Sequence, residues 1–154
     1  PGIAELAPLC VSGEGEGMHV DRAGLRAAVT ADPSLIPKLE KVVHPLVGED
    51  RERFLAQARA EGREVAVCDV PLLYETGGQR RYDAVVVVSS PEQVQRARVM
   101  ARPGMTEATL QTILAKQMPD AEKRARADFV VDTSQGVPAA REQVLAILEE
   151  LKAR

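Results

Sequence analysis

The sequence predicts an α/β domain in which a parallel sheet is flanked by helices. Two short runs rich in valine, Val65–Val70 and Ala84–Val88, lack polar alternation, which is typical of parallel strands covered on both faces. Before, between and after these runs, apolar residues repeat at the spacing of a helix. Ligands of open α/β sheets bind at the carboxyl ends of strands, so we expect a site near Asp69, Tyr74 and Glu75. The alternative is that the turn beginning at Pro71 is only a corner between strand and helix.

Composition limits the classes of protein to consider. A chain of 154 residues with 45% hydrophobic content suits one domain with its own core, and a net charge of −3 argues against a general nucleic-acid binder. Two cysteines, Cys10 and Cys68, make neither a disulfide framework nor a zinc site, and His19 and His44 are far apart. No apolar run approaches the roughly 18 residues of a membrane span. We therefore expect a cytoplasmic protein with no membrane contact and no bound metal.

The first 63 residues are predicted to be mostly helical. Aspartate caps helix N-termini, proline suits the first turn, and glycine ends helices. The predicted elements are a helix at Pro1–Pro8, an acidic loop at Ser12–Gly17, a helix at Arg22–Thr30 capped by Asp21, a helix begun by Asp32-Pro33, and a fourth helix begun by the interrupting pair His44-Pro45 and ended by Gly62.

The second half predicts alternating strands and helices. Apolar runs give the strands, and proline or hydroxyl residues mark the helix starts. The predicted elements are strands at Val65–Val70, Ala84–Val88 and Phe129–Val131, a helix capped by the Ser90 hydroxyl, helices begun by Thr106 (to about Gln117) and by Met118-Pro119-Asp120, and a closing amphipathic helix at Pro138–Lys152.

Positive charge is concentrated between Arg96 and Arg126. That segment carries seven basic and three acidic side chains, a net charge of +4 in a chain whose net charge is −3, and 15 of the 20 basic residues of the chain are arginine. Arg98 and Arg102 share a helix face and have no acidic residue four positions away. The arrangement is typical of a phosphate clamp, and the alternative is a solvated face paired by acids from elsewhere.

Several motifs together resemble the dephospho-CoA kinase family over nearly the whole chain. The motifs are Leu39–Val47 (LEKVVHPLV), Asp69–Gly77 (DVPLLYETG), Tyr82–Val88 (YDAVVVV), Gln117-Met118-Pro119 and Lys123–Ser134 (KRARADFVVDTS). The resemblance implies a P-loop kinase fold in a single domain, with a helical acceptor-binding region at residues 1–63 and a helical lid at residues 96–127. It also implies transfer of the γ-phosphoryl group of ATP, with Mg²⁺ and no tightly bound cofactor, to the ribose 3′-hydroxyl of dephospho-CoA. A monomer or weak homo-oligomer is expected.

The same resemblance implies roles for particular residues. Arg102 would approach the transferring phosphoryl group as the catalytic residue of the lid, although the family's Arg-Asp-Gly or Arg-Asp-Asp break reads Arg102-Pro103-Gly104 here. The implied nucleotide-binding residues are Arg98, Arg102, Thr133 and Ser134, and the implied acceptor-binding residues are His44, Leu72, Leu73, Tyr74 and Glu75. The alternatives are structural roles without ligand contact, in which His44 caps a helix and Tyr74 packs in the core.

Three features that the resemblance implies do not occur in the sequence. Relatives open with a strand, a G-x-x-x-x-G-K-[ST] loop and an Asp-Ala-Asp segment, which supply the phosphate cradle, its lysine and the base for the 3′-hydroxyl. We therefore expect these 154 residues on their own to be inactive. The alternatives to a dephospho-CoA kinase are a truncated, non-catalytic relative that binds a nucleotide or a CoA-like ligand, and another small-molecule P-loop kinase.

Overall fold

The computed structural model describes residues 10–12 and 18–154, with side chains from Val20 onward. It divides the chain into two units, one ending at Cys68 and the other comprising Asp69–Arg154, close to the expected end of the helical region at residue 63. The predicted helix Pro1–Pro8 and residues 13–17 of the predicted loop lie outside the described residues. That the two units form a single domain stays a prediction.

The first unit begins with a short hairpin that the sequence did not predict. Strand β1 (Cys10–Ser12) pairs antiparallel with β2 (Met18–Val20). Helix α1 (Arg22–Ala31) follows, and the predicted cap is confirmed, since the Asp21 carboxylate accepts hydrogen bonds from the second and third backbone N–H groups of the helix at 3.0 and 3.1 Å. The next helix does not begin with a cap from Asp32, whose carboxylate accepts from the Ser34 N–H in the connecting turn.

Helix α2 (Leu35–Ala60) is continuous, so the predicted interruption at His44-Pro45 is wrong. A proline inside a helix removes one backbone donor, but it does not end the helix where helix-forming residues continue on both sides. Pro37 lies in the first turn, where the backbone N–H has no partner within the helix and its loss costs little. The result places His44 on an exposed part of a 26-residue helix rather than at a helix cap.

The predicted strand Val65–Val70 is also absent. This segment has no regular secondary structure, and the Val67 side chain is 76% exposed. A parallel strand exists only where a neighbour completes its ladder, and among the described residues no strand pairs with this one. The prediction that the chain turns at Pro71 is confirmed, since turns occupy residues 71–77 and a 3₁₀ helix follows at Gly78–Arg81.

A two-stranded parallel sheet forms the centre of the second unit. Strand β3 (Val86–Ser89) and strand β4 (Phe129–Asp132) pair in register from the Val86–Phe129 pair to the Ser89–Asp132 pair. Both strands therefore end at the same edge, which confirms the predicted α/β class with a parallel sheet flanked by helices. The chain leaves this edge at Ser90 and at Thr133.

Four helices surround these strands. Helix α3 (Glu92–Met100), helix α4 (Glu107–Leu114) and helix α5 (Asp120–Arg126) connect β3 to β4, and helix α6 (Val137–Lys152) closes the chain. The predicted start of α4 at Thr106 is confirmed, since Thr106 is the N-cap residue and its hydroxyl accepts from the Thr109 N–H. The predicted cap of α3 is wrong, because Pro91 occupies the N-cap position and no side chain caps the helix. Ser90 lies one residue before the N-cap position.

Few apolar side chains are fully buried. Among the described residues, the hydrophobic side chains with less than about one tenth of their surface exposed are Leu35 in the first unit and Leu110 and Val131 in the second. Helix α6 packs against β4 and also supplies a polar clamp: the Gln143 side-chain amide bonds both the N–H and the carbonyl of Asp132, each at 2.9 Å. The clamp fixes the last residue of β4. In the described ranges no helix combines the length and apolarity needed to cross a membrane.

Candidate functional site

A pocket of about 250 Å³ lies at the carboxyl edge of the two parallel strands. The lining residues come from the end of β3, from α3 and the turn after it, and from the residue that follows β4. They are Val88, Ser89, Ser90, Gln95, Arg98, Val99, Arg102 and Thr133. This set contains two guanidinium groups and no carboxylate. The volume is below the roughly 300–1,000 Å³ of most ligand pockets, which suits one anionic part of a larger ligand.

Arg98 is fixed in place by the residue after β4. Its Nη1 donates to the Thr133 hydroxyl at 3.0 Å and its Nη2 to the Thr133 carbonyl at 2.8 Å. Thr133 is tied to the end of β3 in turn, since its N–H and its hydroxyl both donate to the Ser89 carbonyl at 2.9 and 3.1 Å. Its hydrogen-bond partners are a neutral hydroxyl and a carbonyl, and among the described residues no carboxylate forms an ion pair with it, so the guanidinium is oriented and still available to an anion.

Arg102 occupies the first position of a β-turn. The Met105 N–H donates to the Arg102 carbonyl at 3.1 Å, Pro103 is at the second position, and Gly104 at the third has φ +74°. Proline presets the second position of such a turn and glycine tolerates the positive φ of the third. In the part of the chain that the structure describes, the Arg102 side chain has neither a hydrogen bond nor an ion pair. Its charge is therefore free to meet a ligand.

The helical segment that carries Arg102 is held together by a surface ion pair. Nη1 and Nη2 of Arg96 donate to Oε1 and Oε2 of Glu107, respectively, and this ion pair joins α3 to α4. The Arg96 hydrogen bond, with a smaller contribution from Gln111, lowers the pKa of Glu107 to about 2. Since about half of each side chain is exposed, the pair orients the two helices more than it stabilises the fold.

Ser89 connects β3 to α5. Its hydroxyl lies 2.8 Å from both carboxylate oxygens of Asp120, and the Ser89 residue is only 7% exposed. Asp120 is the first residue of α5, where its negative charge is favoured by the helix dipole. The start of α5 is thus anchored beside a residue that also lines the pocket.

The turn after Pro71 places its predicted acceptor-binding residues in different environments. Leu72 is 42% exposed and Leu73 is half-buried. The Tyr74 hydroxyl is buried and has no hydrogen-bond partner among the described residues. Burial raises the pKa of Tyr74, and the nearby Asp128 carboxylate raises it further while Arg126 opposes this. The phenol is therefore neutral at physiological pH.

Glu75 is the most constrained side chain of that turn. Its Oε1 accepts from the Lys123 ammonium at 2.7 Å and from the Met118 N–H at 2.8 Å, with side-chain exposures of 15% for Glu75 and 18% for Lys123. Its Oε2 is buried and has no partner among the described residues. Burial is the largest single influence and raises the pKa of Glu75, but the hydrogen bonds from Lys123 and Met118 outweigh it, so the pKa is lowered overall.

The structure brings some of the predicted site residues together. Arg98, Arg102 and Thr133 line the same pocket, whereas Ser134 is outside the lining set and its N–H donates to the Asp132 carboxylate in the following turn. That hydrogen bond is the main reason why the pKa of Asp132 is lowered, and the charges of Arg124 and Arg98 add to it. His44 is exposed on α2 in the first unit. The roles assigned to Ser134 and His44 stay predictions.

Sequence reasoning missed three residues at this site. Ser89 and Gln95 line the pocket, and the Gln95 amide donates to the Ser90 carbonyl at 2.7 Å. The signal for Ser89 was its position directly after an apolar run. Lys123 was counted in the basic segment and in the motif Lys123–Ser134 but was given no role of its own, because no sequence pattern pairs it with Glu75. Within the described ranges, no three histidine, cysteine or acidic residues cluster so that they could hold a metal ion.

Comparison with known proteins identifies the same family in a family model and in individual relatives. A family model for dephospho-CoA kinase matches residues 12–139. The chain is 56% identical over 133 residues to a dephospho-CoA kinase of Mesorhizobium japonicum, covering 86% of this chain and 68% of that protein. It is 47% identical over 151 residues to a dephospho-CoA kinase of Brucella melitensis, covering 98% of this chain and 76% of that one. These matches confirm the resemblance and do not favour the two alternatives.

Solved structures agree with the fold. A Thermus thermophilus protein of known crystal structure matches with a TM-score of 0.64 and 32% identity, over 96% of this chain and 73% of that one. A dephospho-CoA kinase from Campylobacter jejuni matches with a TM-score of 0.60, over 97% and 74% of the two chains, and at 22% identity it supports the fold alone. The chain spans about two thirds of the length of several curated relatives, at 65% to 68%.

Proposed function

We propose that this chain, which belongs to the dephospho-CoA kinase family, transfers the γ-phosphoryl group of ATP to the ribose 3′-hydroxyl of dephospho-CoA. The observation that carries the proposal is the pocket at the carboxyl edge of β3 and β4, where two arginines converge without any carboxylate among the lining residues. Phosphoryl transfer depends mainly on positioning and on stabilising charge at the transferring group. A pocket with unneutralised guanidinium groups suits that requirement.

Arg98 and Arg102 have different roles in this proposal. Arg98, oriented by Thr133, binds a phosphate of the nucleotide in a fixed position. Arg102 has no partner among the described residues and sits on a turn, so it moves onto the transferring phosphoryl group and stabilises its charge as the catalytic residue. Thr133 and Ser134, at the end of β4, border the nucleotide. The pocket lining contains no carboxylate to accept the 3′-hydroxyl proton, so it supplies charge stabilisation and not the base.

The acceptor site is assigned to the turn after Pro71. The turn that carries Leu72, Leu73, Tyr74 and Glu75 forms the floor of that site, and the family resemblance assigns His44 to acceptor binding. The part-exposed leucines suit the apolar portions of a large acceptor, since such sites are mostly apolar with few polar groups.

The remaining features follow from the family. Mg²⁺ enters as part of the ATP complex and shields its phosphates. The protein works in the cytoplasm on two small molecules, as a monomer or weak homo-oligomer, without nucleic acid or membrane.

A substrate panel tests the proposal. The complete gene product that contains this chain is incubated with Mg·ATP and, separately, with dephospho-CoA or each nucleoside monophosphate, and ADP formation is measured. We expect turnover with dephospho-CoA and a product phosphorylated at the ribose 3′ position. Turnover of nucleoside monophosphates without any action on dephospho-CoA would instead favour another small-molecule kinase, and no turnover of either would favour a non-catalytic relative.

A further inference from the structure

Glu75 is tied to the helical segment between the strands by two contacts. Its Oε1 holds the Met118 N–H, which precedes α5, and the Lys123 ammonium, which lies one turn inside α5. A single carboxylate oxygen therefore fixes both the entry to α5 and its first turn. Both side chains of the ion pair are more than 80% buried. An exposed pair would exchange freely with water, but a buried one keeps its geometry.

The start of α5 is also bonded to the arginine pocket. Asp120, at the first position of α5, accepts from the Ser89 hydroxyl, and Ser89 lines the pocket. The Ser89 carbonyl accepts from Thr133, whose hydroxyl and carbonyl orient Arg98. The bonds form a continuous path from the turn after Pro71, through α5, to the guanidinium group of Arg98.

We propose that Glu75 is a positioning residue, which holds α5 as a fixed support between the acceptor-side turn and the arginine pocket. Within the proposed acceptor floor, its carboxylate acts by holding the Lys123 ammonium and the Met118 N–H, while Leu72, Leu73 and Tyr74 supply the contacts with the acceptor. The inference rests on the proposed function for its kinetic consequences, but the anchor itself is a property of the fold. The lowered pKa of Glu75 is consistent with a carboxylate that stays ionised in this role.

The proposal separates Glu75 from a residue that binds the acceptor. A side chain that contacts dephospho-CoA equally in the ground and transition states changes the KM for dephospho-CoA, whereas a positioning residue changes kcat because it misplaces the phosphate-binding groups. Glu75→Gln keeps an oxygen for Met118 and loses the ionic partner of Lys123. Lys123→Met keeps the aliphatic stem and loses the ammonium.

The test compares Glu75→Gln, Lys123→Met, their double variant and the control Glu122→Gln in the complete gene product. Glu122 is an acidic residue of the same helix whose ion pair with Arg126 is about half exposed. We expect each of the first two to lower kcat about tenfold or more, with both KM values within about twofold. We also expect the double variant to be no worse than the poorer single variant, because both changes break one contact. Glu122→Gln should have the kcat and both KM values of the wild type.

Hydrogen exchange over residues 115–126 is measured on the same samples. We expect faster exchange in Glu75→Gln and Lys123→Met and unchanged exchange in Glu122→Gln. If hydrogen exchange over residues 115–126 is unchanged in all variants, Glu75 does not hold α5 in place, whatever kcat and KM values the variants have. A raised KM for dephospho-CoA with normal kcat, or fully additive losses in the double variant, would overturn the positioning role. If the wild type does not act on dephospho-CoA, the proposed function fails, and exchange alone still decides the anchor.

Discussion

Replacing Lys123 with methionine tests the energetics of the buried ion pair. Two unit charges 2.7 Å apart attract by about 6 kcal/mol at an effective dielectric constant of about 20, although burial has already cost each ion several kcal/mol. The substitution leaves the Glu75 carboxylate, 15% exposed, with the Met118 N–H as its one remaining donor among the described residues. Breaking a buried pair in this way costs about 3–5 kcal/mol. Since both side chains retain some contact with water, we expect a loss of about 2–3 kcal/mol at pH 7.

The pH dependence of that loss follows from the pKa of Glu75. In the wild type this pKa is lowered, so the stabilisation is present above the unfolded value of about 4.3 and is lost as the pH falls through the lower folded value. In Lys123→Met the raising effect of burial is no longer outweighed, and the pKa of Glu75 rises. Protonation then favours the folded variant. The difference in unfolding free energy between the two proteins should therefore shrink as the pH falls from 7 towards 4.

The assay is urea unfolding at pH 7 and at pH 4, with Arg53→Met as the control. Arg53 pairs with Asp50 at 3.4 Å, and about three quarters of each side chain is exposed, so we expect a change below about 1 kcal/mol. A loss in Lys123→Met that equals the control, or that is the same at both pH values, would refute the reasoning.

Three further substitutions have defined outcomes. Tyr74→Ala in the complete gene product should raise the KM for dephospho-CoA about tenfold or more and the KM for ATP less than about twofold; equal rises with a lower Tm would indicate a packing role instead. Thr133→Val removes the hydroxyl between Arg98 and Ser89, so the KM for ATP should rise about fivefold while Thr133→Ser restores it; an unchanged KM would separate Arg98 from nucleotide binding. Leu110→Ala should lower the unfolding free energy by about 2–5 kcal/mol in urea titrations, because Leu110 is 5% exposed, and a loss under 1 kcal/mol would show that the site collapses around the change.

Local signals predicted local structure well. The Asp21 cap, the helix start at Thr106 and the strand beginning at Phe129 were predicted correctly, since each depends on a few neighbouring residues. The strand at Val65–Val70 was not, because an apolar run predicts burial but cannot say whether a partner strand lies beside it. Pro45 shows the same limit for helices, since the cost of one lost hydrogen bond was smaller than the preference of the flanking residues.

Some residues of the candidate site could likewise be predicted from the sequence, and others could not. The sequence identified Arg98, Arg102 and Thr133 through charge and family motifs, and the structure brings them to one pocket. It could not pair Glu75 with Lys123, because the two residues are far apart in the chain and a buried ion pair leaves no periodic pattern. Such contacts depend on how the elements pack, and only the fold reveals them.

Phosphoryl transfer is proposed to take place at the pocket lined by Arg98 and Arg102. The most direct test is the kcat for dephospho-CoA phosphorylation in the complete gene product with Arg102→Ala, compared with Arg80→Ala, an exposed arginine outside the pocket. An arginine that stabilises a transferring phosphoryl group contributes about 10³–10⁵-fold, so we expect kcat to fall by about 10³ or more in Arg102→Ala, with the Tm unchanged, and to stay at the wild-type value in Arg80→Ala. Wild-type turnover in Arg102→Ala would contradict the claim and leave these arginines as surface charge.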